Sequence, residues 1–216
     1  MGKKPYRHSP IREIKPRFLV VTEGETEENY FRAIKKFFRG LPIEIIPKKG
    51  KNSNPMAVFK TAKREIVASR DNQYTAAYVV VDRETQNADL KSLSTALAES
   101  VKPVAKRDIK CDIIISNPSF EYWILSHFDY TMKIFTNSDA VIVELKRHIK
   151  DYKKAYDFLS KVNDENKDYL SGILDSAVDN ARRCEQSHGV NFNPTTSNPS
   201  TQVYRIIERI KSMSGM

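Results

Sequence analysis

Short apolar runs alternate with segments of helical apolar spacing between residues 18 and 128, and this order leaves few fold classes open. The run "AAYVVVD", residues 76–82, is apolar on both of its faces, which is typical of a central strand in a parallel sheet. Strand–helix alternation favours right-handed βαβ crossovers between parallel strands. The sequence therefore predicts an α/β fold with a mostly parallel central sheet flanked by helices. Strands are expected at 18–22, 43–46, 76–82 and 111–116.

Helical spacing dominates after residue 130, where no strand is expected. Residues 131–216 are therefore predicted to form a C-terminal helical extension packed on a core of residues 18–130. The pairs Asn117-Pro118 and Asn198-Pro199 are interpreted as helix starts, with Asn198 and Ser200 as capping residues. In this extension, helices are expected near 138–149, 151–161, 167–186 and 199–212.

Basic residues outnumber acidic ones, 36 against 27, and the net charge of +9 favours a polyanionic partner such as nucleic acid. Residues 1–17 are basic, interrupted by proline and poor in apolar side chains, so they are predicted to be a flexible basic arm. The loop "PKKGKNSNP" concentrates Lys48, Lys49 and Lys51, which either contact phosphate groups or simply keep the loop solvated. Arg83 is a further candidate for phosphate contact.

The composition is that of a soluble protein, and a cytoplasmic location is expected. No apolar run approaches the ~20 residues that a membrane-spanning helix needs, and the N-terminus lacks the apolar region of a secretion signal. Cys111 and Cys184 lie far apart in the sequence and match no zinc-binding spacing, so both are expected to be reduced thiols.

Carboxylates stand at the ends of two of the predicted strands. Glu23 follows the first strand and Asp82 ends the third. Ligands of open α/β sheets bind beyond the carboxyl ends of the strands, so these two side chains converge if their strands are neighbours. Glu84 lies two residues after Asp82 on an extended segment, and its side chain is therefore expected to point the same way.

Three carboxylates in one place repel one another unless a cation neutralises them. Hard oxygen ligands of this kind suit Mg²⁺, or Mn²⁺ in its place, with substrate phosphate completing the coordination shell. Such a cation would polarise a phosphoryl oxygen and activate water near neutral pH. The residues Glu23, Asp82 and Glu84 are therefore candidates for a metal site that cleaves a polyanion.

Several of the acids also have a purely structural explanation. Glu25, Glu27 and Glu28 fall in the first turn of the predicted helix, where the helix dipole favours negative charge, and they are assigned to helix stabilisation. Asp82 taken alone would serve as a cap for the helix that follows it. Glu23 differs from the others, because it precedes Gly24 at a strand end, where compensation of the helix dipole does not account for it.

Four segments of the chain resemble the successive signature blocks of the RloB-like proteins. They are "VVTEGETEENYF", "YVVVDRET", "ISNPSFEYWILSHF" and "SNPSTQVYRIIERI", which occur in this order between Phe18 and Ile210. RloB-like proteins are small prokaryotic proteins from restriction and phage-defence loci, and they are regarded as carrying a Toprim-type catalytic domain. The resemblance implies a Toprim-like fold for the core of this chain.

Toprim domains place a Glu after the first strand and an acidic D-x-D pair after a later one, and these acids bind Mg²⁺ for phosphodiester chemistry. By position, the resemblance assigns Glu23 as a metal ligand or general acid–base. It assigns Asp82 and Glu84 as the acidic pair, with Glu in place of the usual second Asp.

The third signature block supplies one more acid, Glu121, which the resemblance makes a candidate ligand or substrate contact. Trp123 and His127 lie beside it in the sequence and are expected to be core residues.

The function implied by the resemblance is that of a metal-dependent nuclease, acting on DNA or RNA as an effector of antiviral defence. The chain contains no G-x-x-x-x-G-K-[ST] loop, so an ATPase would be a separate partner, as RloA-type proteins are. A homodimer also fits, because Toprim relatives often dimerise. The alternative is a non-catalytic module whose acids bind a structural cation or a partner's basic surface. A D-x-D glycosyltransferase fits poorly, because its nucleotide-binding glycines at the strand ends are absent.

Overall fold

The computed structural model describes residues 17–47, 54–69, 74–83, 87–104, 109–153, 159 and 167–214. Some of the predictions made from the sequence lie outside these residues. They concern nearly all of the basic arm, the loop lysines Lys48, Lys49 and Lys51, and the acid Glu84.

Within the described residues, five strands form one sheet in the order β2-β1-β3-β4-β5. The first four strands run parallel, and β5 pairs with β4 in the antiparallel sense. The predicted mostly parallel central sheet is therefore confirmed. The strands are β1 (Arg17–Thr22), β2 (Ile43–Pro47), β3 (Tyr74–Asp82), β4 (Cys111–Asn117) and β5 (Ser200–Thr201).

The helices follow the apolar spacing and the capping residues of the sequence. In the first helix, acids occupy the first turn and Lys35 and Lys36 the last, an arrangement that opposes the helix dipole. Asn54 caps the second, because its Oδ1 accepts a hydrogen bond from the N–H of Ala57 at 3.0 Å. The helices are α1 (Glu25–Phe37), α2 (Pro55–Ala68), α3 (Asn87–Ser100), α4 (Glu121–Leu125), α5 (Ser138–Leu145), α6 (Lys167–Ser187) and α7 (Val203–Ser214).

The sheet separates two apolar layers, because alternate residues of a strand point to opposite faces. On one face, Leu19, Val79 and Ile115 pack with α2 and α3. On the other face, Phe18 and Val80 belong to a larger cluster with α1 and with α4 to α7. Helices cover both faces, and this α/β arrangement is consistent with the predicted Toprim-like fold.

The expectation that no strand follows residue 130 is wrong, because β5 lies at residues 200–201. Two residues are too few to give a periodic signal in the sequence. The strand exists because it pairs with the end of β4, and the hydroxyls of Ser116 and Thr201 lie 2.9 Å apart across this pair. The backbone N–H of Gln202 extends the pairing by donating to the carbonyl of Ile115 at 3.0 Å.

The interpretation of both later Asn-Pro pairs as helix starts is also wrong. Both peptide bonds are cis, and α4 and α7 begin only after further residues. The side chain of Asn117 donates to the carbonyl of Ser197, whereas that of Asn198 bonds to the backbone of Phe135. Ser200 lies in β5 rather than at a helix cap. These side chains join distant segments instead of capping local ones.

The ends of the C-terminal helices differ in part from the sequence-based expectation. Helix α5 ends at Leu145, earlier than the predicted 138–149, because the turns that follow mix bonds between residues three apart with bonds between residues four apart. Residues 151–153 are not helical, although a helix was expected near 151–161. The helix predicted near 167–186 is present as α6. In the part of the chain that the structure describes, no helix is long and apolar enough to span a bilayer.

Candidate functional site

Glu23 and Asp82 lie together at the carboxyl edge of the sheet. Strands β1 and β3 are hydrogen-bonded neighbours with Thr22 opposite Val80, so their ends reach the same edge. The backbone N–H of Asp82 donates a long hydrogen bond to Glu23 Oε2 at 3.4 Å. Both side chains are partly accessible to solvent. The structure thus brings these two predicted residues into direct contact.

Asp82 is fixed by the turn that precedes α4. Its Oδ1 accepts a hydrogen bond from the backbone N–H of Phe120 at 2.8 Å. The structure thus gives this carboxylate a partner in another part of the chain, 38 residues away in the sequence. The bond holds one carboxylate oxygen in a set direction at the strand end.

Glu121 belongs to the same group of acids. It is the first residue of α4 and is buried. Ser119 Oγ donates to Glu121 Oε2 at 2.6 Å, a short, charge-assisted contact. The turn between β4 and α4 therefore supplies an acid to the site and a backbone donor to Asp82.

Glu27 also lies in the candidate site, although its position in the sequence predicted only a role in stabilising α1. It is buried, with 4% of its surface exposed. Burial, together with the negative charges of Glu121 and Glu23, raises the pKa of Glu27 to about 7, against hydrogen bonds from backbone N–H groups that lower it. The sequence did contain a signal for this, because Glu27 stands four and seven residues before the buried Phe31 and Ile34, on the same helix face.

The other acids of the first turn of α1 fit the structural explanation. Glu25 is exposed to solvent. Glu28 forms an ion pair with Arg32 at 2.7 Å, one turn further along the helix. Neither belongs to the buried group around Glu27.

Tyr152 brings the C-terminal part of the chain to the site. The residue is buried. Burial and then the charges of Glu121, Glu27 and Asp82 raise the pKa of its hydroxyl well above the ordinary value. The phenol therefore lies within electrostatic reach of three of the acids, and no pattern in the sequence indicated it.

Arg83 and Asn117 attach the polar loop before β5 to the same edge of the sheet. Arg83 donates from its backbone N–H to the carbonyl of Ser116 at 2.8 Å and from its Nε to the carbonyl of Thr195 at 3.0 Å. Asn117 Nδ2 donates to the carbonyl of Ser197 at 2.9 Å. Within the described residues the guanidinium of Arg83 forms no ion pair with a carboxylate.

His127 and Trp123 lie in the core, as expected. His127 is buried, and burial lowers its pKa to about 4, so the ring is neutral at physiological pH. Its Nδ1 lies 3.0 Å from the carbonyl of Trp123, which can only accept, so the proton is on Nδ1. Nε2 then accepts from the hydroxyl of Tyr30 at 3.2 Å and links α4 to α1.

The fit of this edge to a divalent cation depends on the oxygen donors that it presents. Among the residues that the structure describes, no group of three or more His, Cys, Asp and Glu side chains is placed to hold a metal ion, and Glu84 lies outside them. The edge nevertheless carries two buried side-chain oxygens without a hydrogen-bond partner in that part of the chain, Thr22 Oγ1 and Asn117 Oδ1. Mg²⁺ takes only one or two carboxylates and completes its shell with neutral oxygens and water. Oxygen donors of the kind that Mg²⁺ accepts are therefore present at this edge.

A comparison with protein families covers the residues of this edge. A family model described as RloB-like protein matches residues 18–210, most of the chain. The chain belongs to the RloB-like family. The match includes the strand ends with Glu23 and Asp82, the turn with Glu121, and the C-terminal helices of this RloB-like protein. A comparison with curated proteins found no match.

Proposed function

We propose that this RloB-like protein is a metal-dependent nuclease that hydrolyses phosphodiester bonds of DNA or RNA. The observation that carries the proposal is the contact between Glu23 and the backbone of Asp82, which joins the acids that end two neighbouring parallel strands. Ligands bind at such strand ends in open α/β sheets. The net charge of +9 supports a polyanionic substrate.

In this proposal Glu23 and Asp82 hold Mg²⁺ or Mn²⁺, and Glu84 adds a third carboxylate. The cation, when bound, supplies positive charge for the phosphoryl oxygens and lowers the pKa of a coordinated water. Asp82 is directed by the N–H of Phe120. Glu23 assists proton transfer in addition to binding, because its carboxylate lies at the accessible mouth of the site.

The remaining charged residues have supporting roles in the proposal. Glu27, whose pKa is about 7, can hold or release a proton near neutral pH. Glu121 is kept in place by Ser119 and adds negative charge that a cation relieves. Arg83 binds a phosphate of the substrate, held in position by the carbonyl of Thr195.

The biological role that we propose is that of an effector in prokaryotic antiviral defence, working with a separate ATPase of the RloA type in the cytoplasm. The family membership supports this role. The chain contains no G-x-x-x-x-G-K-[ST] phosphate-binding loop of its own. Nuclease action would then depend on the ATPase partner for its trigger.

Cleavage of end-labelled total tRNA, single-stranded DNA and duplex DNA tests the nuclease. Each polymer is incubated with Mg²⁺, with Mn²⁺ and with a chelator, with and without the ATPase. Cleavage that needs the metal and is lost in Asp82→Asn supports the proposal and identifies the polymer. Asp112→Asn removes the same charge from an exposed position near the start of β4 and should cut normally.

A non-catalytic module that docks on an ATPase or a nucleic acid is the second candidate. It is favoured by the finding that no set of three or more ligating side chains is assembled in the described part of the chain. In that case no polymer is cut under any condition, and Asp82→Asn binds the ATPase or the polymer as well as the unchanged protein does.

A further inference from the structure

The tetrapeptide Ser-Asn-Pro-Ser occurs twice, at residues 116–119 and 197–200, and the two copies meet at the carboxyl edge. In the antiparallel pairing of β4 with β5, Asn117 lies opposite Ser200. Both polar atoms of the Asn198 side chain have a partner, because its Oδ1 accepts from the N–H of Phe135 at 3.1 Å and its Nδ2 donates to the carbonyl of Phe135 at 2.7 Å. The second asparagine is therefore a structural link.

In the first asparagine, only one of the two polar side-chain atoms has a partner among the described residues. Asn117 Nδ2 donates to the carbonyl of Ser197 at 2.9 Å. Its Oδ1 has no hydrogen-bond partner in the described residues, although the side chain is only 1% exposed. Buried side-chain acceptors nearly always have a partner, so this oxygen requires one that the described chain does not supply.

The position of Asn117 relates this oxygen to the acids. Asn117 ends β4 on the face that carries Ile113 and Ile115, and Glu23 continues the corresponding face of β1. The register that pairs Asp82 with Ser116 sets Asn117 level with Arg83, the residue after β3, and the register that pairs Thr22 with Val80 sets Glu23 level with Val81. The unpartnered oxygen and Glu23 thus stand at the same edge of the sheet and on the same face.

We propose that Asn117 Oδ1 is a further oxygen contact for the divalent cation of this site, made to the ion or to a water of its hydration shell. This inference rests on the proposed function, because it assumes that the edge binds a cation. An amide oxygen is a hard, neutral ligand and adds no charge to the repulsion among Glu23, Asp82 and Glu27. The bond from Nδ2 to Ser197 fixes the amide plane, so the oxygen is held ready for the ion.

The test compares the two asparagines, using Mn²⁺ as the probe in calorimetric titration of the full chain. Asn117→Leu is expected to weaken Mn²⁺ binding by about tenfold or more, the loss typical of removing an oriented polar contact at a metal site. Asn198→Leu removes the same amide from the same tetrapeptide. It should lower the melting temperature in chelator, because two hydrogen bonds are lost, and leave the affinity for Mn²⁺ unchanged.

Asn117→Asp protects the test against poor folding of the leucine variant. It keeps an oxygen at the site and adds a negative charge, so the variant should melt earlier in chelator and bind Mn²⁺ at least as tightly as the unchanged protein. Equal Mn²⁺ affinity in Asn117→Leu, Asn117→Asp and the unchanged chain overturns the inference and leaves the oxygen to an ordinary buried water.

The outcomes separate the inference from the function on which it rests. In one outcome, the unchanged protein binds Mn²⁺, Glu23→Gln abolishes this binding and Asn117→Leu leaves it unweakened. Only the role of Asn117 then fails. If the unchanged protein binds no Mn²⁺, the metal site and the role of Asn117 fail together.

Discussion

Three glutamates in the first turn of α1 have different environments, and their side chains differ in function accordingly. Glu25 is exposed and Glu28 pairs with Arg32, so both serve the helix and its surface. Glu27 instead faces the sheet and meets the charges of Glu23 and Glu121. At the scale of single residues, the group around Glu27 concentrates negative charge. The electrostatic repulsion within the group falls when a proton or a cation is bound.

Replacing Glu27 by Gln should stabilise the metal-free protein at high pH and not at low pH. The pKa of Glu27 is about 7 in the folded state against 4.5 for an ordinary carboxyl, so the native state keeps a proton that the unfolded state has lost. The stability of the unchanged protein therefore falls as the pH rises from about 4.5 to 7. Above pH 7 the penalty is complete and amounts to about 3 kcal/mol.

Urea unfolding in chelator at pH 5 and pH 8 measures this difference. Glu27→Gln should gain stability relative to the unchanged protein mainly at pH 8, and the exposed control Glu25→Gln at neither pH. The lowered pKa of His127 acts in the opposite direction below pH 6.5 but is present in all three proteins and cancels. A gain of the same size at both values of pH contradicts the buried, proton-holding carboxyl.

Gly24 leaves room for the Glu27 carboxylate. A Cβ at residue 24 would lie 2.8 Å from Glu27 Oε2, although the backbone there is extended and open to any residue. Gly24→Ala should therefore displace the Glu27 carboxylate. Because this carboxylate interacts with the charge of Glu23, a proposed metal ligand, the change should weaken Mn²⁺ binding by about tenfold. Gly172→Ala is the control, because a Cβ at that exposed position of α6 meets nothing within 4 Å. It should raise stability by about 0.5–1 kcal/mol, the usual gain for alanine in a helix, with unchanged Mn²⁺ binding. Calorimetric titration measures Mn²⁺ affinity in both variants, and thermal melts measure their stability. An unchanged Mn²⁺ affinity in Gly24→Ala would argue against the close packing of Gly24 on the Glu27 carboxylate.

At the scale of elements, the sequence predicts the strands and helices that have a local periodic pattern. It does not predict β5, which exists through pairing with a distant strand. The four parallel strands and the convergence of Glu23 with Asp82 follow from apolar runs and from the rule that ligands bind at carboxyl ends. The pairing of β5 with β4 depends on contacts between Ser116 and Thr201, 85 residues apart. Such contacts leave no periodic pattern. The Asn-Pro pairs were misread for the same reason.

The bond between the hydroxyls of Ser116 and Thr201 should stabilise β5 against β4. Both side chains are buried and 2.9 Å apart, so Thr201→Val leaves the Ser116 hydroxyl unsatisfied and should cost about 1–3 kcal/mol. The double variant with Ser116→Ala should cost less than the sum of the two single variants, by about 0.5–1.5 kcal/mol. Urea unfolding of the unchanged protein, the two single variants and the double variant gives the coupling energy between the two hydroxyls. The weaker contact of Thr201 with the N–H of Val203 cancels in this difference, because Thr201→Val removes it from the single and the double variant alike. Strict additivity would show that the two hydroxyls do not stabilise each other.

At the scale of the whole molecule, the candidate site draws on both ends of the described chain. The early strands supply Glu23 and Asp82, the turn before α4 supplies Glu121, and the later part supplies Tyr152 and the loop at residues 193–198. Sequence reasoning found the acids at strand ends because their position follows from topology. It could not find Tyr152, whose place depends on how the C-terminal segments fold back onto the sheet.

The initial rate of phosphodiester cleavage in Mn²⁺ by Glu23→Gln and Glu25→Gln is the most direct test of a nuclease site at this edge. The two variants remove equal charge two residues apart, one at the strand end and one on the exposed helix surface. Glu23→Gln should be at least about a hundredfold slower than the unchanged protein, as expected for the loss of a catalytic carboxylate, and Glu25→Gln should cut at the normal rate. Equal rates in the two variants, or no cleavage by the unchanged protein with its ATPase partner present, would contradict the assignment of this edge as a nuclease site.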